Sequence, residues 1–270
     1  MAVGRRRAFF LAEETGLEIE PKSPKQNTED ARLRFDEIRS LIDRKESLRG
    51  FYLEVYQKFQ ACLERCPPGG LVLELGSGAG FLRDLIPEVL TSDVVAYPGL
   101  SISVDAARLP FENSSLRAIF MFNVFHHLPD VEAFLREAER CLLPGGRIFM
   151  VDQHLGPISY PILRFLHHEP MDPRAVSWSF RSYDPLLGAN GALAWIVFRR
   201  DLGKFESLFP KLRLLRYEPH TPLRYWWMGG LKSWSLLPSW MCAWARRVDQ
   251  GLSRIWPESG SFVDIEIVRN

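Results

Sequence analysis

The chain has 270 residues, enough for one large domain with elaborations and a sizeable buried core. Its 34 lysines and arginines are balanced by 33 aspartates and glutamates, scattered rather than striped, which excludes an electrostatic footprint for nucleic acid. No window reaches the ~18 consecutive apolar residues of a membrane span, and the 4 cysteines (Cys62, Cys66, Cys141, Cys242) form no CxxC pair and fit reduced structural thiols.

The opening "MAVGRRRAFFLAEETG" joins a basic run to an apolar one. Its apolar part, Ala8 to Ala12, ends at Glu13, short of the roughly 7 to 15 residues of a secretion signal, so the expected location is cytoplasmic. Leu33, Ile38, Leu41 and Ile42, then Phe51, Val55, Phe59 and Leu63, recur at helical spacing and predict two helices broken near Gly50. "PPGG" (67–70) stops the second, and the short apolar "LVLEL" (71–75) predicts a buried strand. That strand enters a glycine-rich turn, with "FLRDLIPEV" predicted as the helix after it. Further strands are predicted over 89–95, 101–105, 117–125 and 146–152. Between the last two, Val131, Phe134, Leu135, Ala138 and Leu142 mark an amphipathic helix stopped by Pro-Gly-Gly. Strands alternating with helices predict a parallel sheet covered on both faces, to which "KLRLLRYEP" and "SFVDIEIVRN" could add two strands.

The densest motif is "ELGSGAG" (74–80). Glycines there let the backbone turn sharply and approach a ligand, and a helix start beyond would offer amide donors. The pattern Glu-x-Gly-x-Gly-x-Gly differs from the GxGxxG of dinucleotide folds. Together with "DAARLPF", "FNVFHHLPD" and "EAERCLLPGGRIFMVD", in that order over 71–152, it resembles the class I S-adenosylmethionine-dependent methyltransferases, in the small-molecule, type 11-like branch.

The resemblance implies an α/β fold, a Rossmann-like doubly wound seven-stranded sheet, mostly parallel with an antiparallel C-terminal strand. It also implies S-adenosyl-L-methionine as cofactor. Glu74 would approach the methionine ammonium, and Gly76, Ser77, Gly78 and Gly80 would run under the cofactor. Asp93, 19 residues beyond Glu74, suits the ribose hydroxyls, for which about 20 is expected. Asp105 and Ala106 would meet adenine, and Asn123 and Val124 the methionine end. One departure stands out: only "VVAYPGL" separates the second and third strands, too short for a normal crossover helix. The N-terminal helices are the expected cover. The chain accordingly divides into a leader and helical cover (1–66), a cofactor-binding core (67–152), a substrate-side insertion (153–210) and a sheet completion with a Trp-rich helical insertion (211–270).

Ligands in open parallel sheets bind beyond the carboxyl ends of the strands, where both insertions begin. Substrate contacts are expected from His167, His168, Glu169, Trp178 and Tyr183. The last insertion holds 6 of the 8 tryptophans among basic residues, which fits core packing, an apolar pocket wall, or peripheral contact with a membrane interface. Neighbouring histidines point to opposite faces of an extended segment, so no metal is expected at His126–His127 or His167–His168. A base near neutrality would help a hydroxyl acceptor, and His154 and then His126 are the catalytic candidates. The expected activity is methyl transfer to a small-molecule acceptor, chiefly on oxygen of an apolar, lipid-like or natural-product or glycan intermediate. Carbon and nitrogen acceptors, the oligomeric state, and a non-catalytic regulatory or scaffold role for the same fold stay open.

Overall fold

A computed structural model describes residues 24–167, 169–180 and 188–270. Two helices lead, α1 (Pro24–Arg44) and α2 (Glu46–Leu63). The break falls at Lys45 and not at Gly50, which lies inside α2. A central glycine weakens a helix by only about 1 kcal/mol, and here Leu48, Phe51, Val55 and Phe59 bury the same helix face on both sides of it.

Seven strands follow: β1 (Leu71–Leu75), β2 (Val89–Asp93), β3 (Ile102–Ser103), β4 (Leu116–Phe122), β5 (Leu142–Gln153), β6 (Leu212–His220) and β7 (Phe262–Arg269). They form one sheet in the order β3-β2-β1-β4-β5-β7-β6. Pairing is parallel from β3 to β5, and β7 runs antiparallel to both β5 and β6. The expected seven-stranded, mostly parallel sheet is therefore observed. Strand order reverses between β1 and β4, which opens a crevice at their carboxyl ends.

Alternate side chains of the central strands feed two cores, as the two-residue period requires. Val72, Phe120, Phe149 and Val151 pack against α2, where Phe59 stacks on Phe120 with ring centroids 4.8 Å apart. Leu73, Ile119, Met121, Ile148 and Ile265 face the opposite layer. That layer contains α3 (Val131–Cys141), capped by the Asp130 carboxylate accepting from the Ala133 amide at 3.0 Å. It also contains α4 (Ser159–Phe165), then α5 (Leu193–Trp195) running into a π-helical turn (Ile196–Arg200), and α6 (Leu202–Leu208).

The helix expected after the glycine turn is reduced to a single 3₁₀ turn, Leu82–Asp84. Only eight residues separate Gly80 from Val89, one of them Pro87, and α2 already occupies the layer: Tyr56 meets Phe81 edge-on at 5.0 Å. The last insertion contributes α7 (Arg224–Trp227) and α8 (Cys242–Ile255). It is tied to α2 by a two-pronged ion pair of Arg224 with Glu54, at 2.8 and 2.7 Å. The Asp249 carboxylate accepts from the amides of Leu223 and Arg224 at the start of α7. Lys45, in the α1–α2 break, donates to the carbonyls of Gly230, Lys232 and Trp234, each at 3.0 Å.

Candidate functional site

At the end of β1 the chain turns at Gly76, φ +64°, where an added Cβ would run into the side chain of Val124. Only glycine meets both demands. Ser77 is buried and latches the turn to β2: its amide donates to the Ser92 carbonyl at 2.8 Å, and its hydroxyl accepts from the Ser92 amide at 3.0 Å. Glu74, 3% exposed, therefore ends in a closed space, and its Oε2 has no hydrogen-bond partner. Burial, opposed by a hydrogen bond with the Ser77 side chain and reinforced by the Asp93 charge, pushes its carboxyl up to about 7.

Asp93 lies beside the same loop, its carboxylate accepting from the Gly78 amide at 3.3 Å and from the Val95 amide at 3.4 Å. Tyr97, from the short β2–β3 connection, donates its hydroxyl to the Gly78 carbonyl at 2.7 Å and packs its ring on Phe35 of α1, 4.7 Å between centroids. Arg39 of α1 donates to the Gly80 carbonyl at 3.2 Å. The N-terminal helices thus close over the loop at the place where the crossover helix is missing. An open cleft of ≈ 350 Å³ remains between α1, Gly78, Gly80 and Tyr97. Asp105 does not join this group. It is exposed, and its carboxylate accepts from the Ala107 amide at 2.9 Å to cap its own turn, while Ala106 packs against the core.

Asn123 takes φ +55° at the end of β4, its Oδ1 unpartnered, and Val124 abuts Gly76. The chain then makes a 3₁₀ turn, Phe125–His127, which separates the two histidines into different jobs. His126 is 1% exposed and donates Nδ1–H to Asp152 at 2.6 Å, while its Nε2 lies 3.3 Å from Glu169. Burial alone would lower its pKa, but the charge and hydrogen bond of Asp152, with those of Glu169, raise it to about 10. His126 is therefore an imidazolium, a hydrogen-bond donor and not a resting base. His127 donates Nδ1–H to the Gly188 carbonyl at 2.8 Å and is pushed down to about 4 by burial and by the His126 charge. At neutral pH it is uncharged, with Nε2 as its basic atom.

Glu169 joins the two insertions. Its carboxylate accepts from Gln153 at 3.0 Å and is held far below the usual range by the histidines around it, against the opposing effect of its own burial. It also raises the phenol pKa of Tyr225 from the last insertion, a smaller contribution than that of burial. Tyr225 packs on Phe51 at 5.3 Å and Phe262 at 4.7 Å, and Tyr52 sits edge-on to Phe122 at 4.8 Å. An aromatic wall therefore runs from the Glu74 side to the histidine side. The atoms of His126, His127 and Glu169 that could ligate a metal lie within 4.8 Å of one another.

His167 lies beside Glu169, its Nδ1 3.6 Å from the carboxylate. His168 and Tyr183 fall outside the described residues. Trp178 and His154 are each buried against other partners. Trp178 is only 1% exposed: its indole N–H donates to Asp201 at 2.8 Å and Lys204 sits over its ring at 4.1 Å, contacts that anchor the insertion. His154 is equally buried and turns toward β6, 3.0 Å from the Tyr217 hydroxyl and 3.5 Å from Glu258, with burial lowering it to about 4. None of these contacts reaches the cofactor-side residues. Sequence reasoning does not single out Asp152, Gln153, Tyr52 or Tyr225. "VDQH" at the end of the fifth strand is the available signal for the first two.

Residues 73–150, which run from β1 through β5, match the family model described as "Methyltransferase domain". This segment is a class I methyltransferase domain. Among curated relatives, the 2-phytyl-1,4-naphtoquinone methyltransferase of Synechococcus elongatus is 28% identical over 154 residues, 48% of this chain and 65% of the relative, so the match spans less than two thirds of that protein. Solved structures with a similar arrangement include an S-adenosylmethionine dependent methyltransferase from Mesorhizobium loti, at TM-score 0.42 and 16% identity over 78% of this chain and 97% of that one. Another is the geranyl diphosphate C-methyltransferase of Streptomyces coelicolor, at TM-score 0.45 and 12% identity over 80% and 78%.

S-adenosylmethionine is the methyl donor of this domain class, and the methyltransferase domain fits it on its own geometry. The donor carries an ammonium and a sulfonium, and the domain presents two unpartnered acceptors, Glu74 Oε2 and Asn123 Oδ1, at the ends of β1 and β4. A buried acceptor without a partner costs about 1–3 kcal/mol. Two of them at the switch point are explained by a cationic ligand that satisfies both. Asp93, at the end of β2, is held beside the same turn by the Gly78 amide.

Proposed function

We propose that the protein transfers a methyl group from S-adenosylmethionine to a small, apolar, ring-bearing acceptor, on oxygen. The observation that carries this reading is Glu74, a buried carboxylate with one oxygen, Oε2, left unpartnered, near the end of β1 beside a turn that only glycine can make. When bound, the donor supplies a methyl carbon activated by its sulfonium. What remains for the chain is to orient the acceptor, exclude water and manage charge.

The half-buried rings of Tyr52, Phe122 and Tyr225, backed by the buried Phe51, suit a flat apolar ring. The acceptor in the name of the Synechococcus relative, a phytyl-substituted naphthoquinone, is of that class. An acceptor hydroxyl must lose a proton, and His127 is in the right state to take it, being uncharged, oriented by Gly188 and presenting Nε2. His126 and Asp152 do not take that proton. They hold Glu169 ionised and fixed beside His127, where it can stabilise the imidazolium that forms.

The test is calorimetry with S-adenosylmethionine, followed by transfer of labelled methyl to a panel of hydroquinones and planar phenols. Wild type should bind the donor and label a product, and Gly78→Arg should do neither. Equal labelling by both proteins would overturn the site. Donor binding by wild type with no labelling across the panel would favour the regulatory reading.

A further inference from the structure

From Leu231 to Trp256 the last insertion turns large apolar side chains outward. Trp240 is 80% exposed, Leu236 71% and Trp244 51%. They belong to one surface. The Leu236 amide donates to the Trp227 carbonyl at 2.8 Å, and the Trp227 ring stacks on Trp244 of α8, 6.1 Å between centroids at 10°. From Trp240, in the 3₁₀ turn just before α8, the exposed face continues along α8 through Trp244 to Arg247 and Arg254.

The charge within this segment is one-sided, although Arg246 lies 3.6 Å from Glu54 of α2. Between 231 and 256 the basic residues Lys232, Arg246, Arg247 and Arg254 are exposed, and the single acid, Asp249, is 4% exposed and spent on the start of α7. The protein as a whole carries a net charge of only +1, so the asymmetry is local. Exposed tryptophan and leucine flanked by arginine are the composition of a segment lying in a lipid headgroup layer, where the indole keeps one edge wet and guanidinium groups meet anionic headgroups. The surface is held rigidly: Lys45 clamps the carbonyls of Gly230, Lys232 and Trp234, and Arg224 fixes α7 to α2. Among the described residues, nothing covers Trp240.

We infer that the segment 231–256 docks the protein onto an anionic lipid bilayer, with Trp240, Leu236 and Trp244 entering the headgroup layer and Arg247 and Arg254 pairing with lipid phosphates. Among the described residues, no helix is long and apolar enough to cross the bilayer. The docked insertion is the one that carries Tyr225 to the aromatic wall, so an apolar acceptor dissolved in the bilayer would enter beside its own binding surface. This goes beyond the proposed methyl transfer and stands on different residues, so either can fail without the other.

The experiment is flotation of the full chain with vesicles of phosphatidylcholine alone and of phosphatidylcholine mixed with phosphatidylglycerol. The protein should float with the mixed vesicles at low salt and far less with the neutral ones. Arg247→Gln with Arg254→Gln should weaken partitioning about 25-fold, from about fivefold per charge. Trp240→Ala, at a side chain that supports no core, should weaken it at unchanged melting temperature, and brominated lipid should quench wild-type tryptophan emission more than that of Trp240→Phe. Flotation with neither vesicle, partitioning unaltered in the arginine and Trp240 variants, or a stable dimer in solution that protects Trp240 from quenchers would overturn the inference.

Discussion

Glu74→Gln should make the donor-free protein more stable while removing its ability to hold the donor. Folding takes the Glu74 carboxyl from its ordinary 4.5 to about 7, chiefly through burial. Because the folded pKa is raised, the acid's contribution is intact below about pH 4.5, erodes as pH rises toward 7, and is lost above it. At pH 8 the cost of keeping this carboxylate ionised inside the fold is up to about 3 kcal/mol. An amide of nearly the same shape avoids that cost. Thermal melts of the two proteins without donor should coincide near pH 4.5 and separate at pH 8, with the glutamine variant higher by roughly 6–12 °C for a chain of this size. In calorimetry the same variant should lose most donor affinity, because a neutral amide no longer faces the ammonium. Wild-type affinity should rise with pH up to about 7 and then level, with a proton released on binding below that pH, since a nearby cation pulls the carboxyl back down. Identical pH dependence of melting in the two proteins would refute the buried carboxylate with its raised pKa.

Gly76→Ala should disable the loop: an L side chain at φ +64° is strained, and its Cβ would strike Val124, so donor binding should fall at least tenfold in calorimetry while far-ultraviolet circular dichroism stays unchanged. His126 should stay protonated through the neutral range in imidazole NMR and titrate only near pH 10. In Asp152→Asn the transition should move into the neutral range, because the strongest opposing charge to its burial is gone. Its raised pKa means that the stability it lends is complete below about 6.5 and is lost as pH rises toward 10, which urea denaturation at stepped pH will register. Arg224→Met takes the two-pronged partner from Glu54, which keeps only Arg246 at 3.6 Å, and the neighbouring cation from Asp249, and should destabilise by about 3 kcal/mol in urea, with Glu54→Gln costing less.

Much of the architecture is legible in the sequence because it rests on local rules. Alternating apolar runs place all seven strands, and Asp130 followed by the Val131, Phe134, Leu135, Ala138 stripe places α3. Expectation and structure part where packing overrides pattern. "FLRDLIPEV" has helical composition, but α2 fills that layer and leaves room for a 3₁₀ turn. Gly50 reads as a breaker, yet one buried face runs through it.

The site divides along the same line. Glu74, Gly76, Ser77 and Gly78 lie within five consecutive residues, so their relation is fixed by one strand and one turn, and the sequence by itself determines it. The roles of the histidines are not local. His126 and His127 are adjacent and chemically equal until β5 brings Asp152 to one and the insertion brings Gly188 to the other. Their pKa values then separate to about 10 and about 4, because one is wedged between carboxylates and the other is buried beside a cation. His154 and Trp178 go the opposite way, buried against partners more than 20 residues distant in the chain, Tyr217 and Asp201. Local chemistry thus specifies the donor loop, whereas burial and charge from distant segments, which exist only once the sheet has assembled, decide which histidine can take a proton and which tryptophans meet solvent.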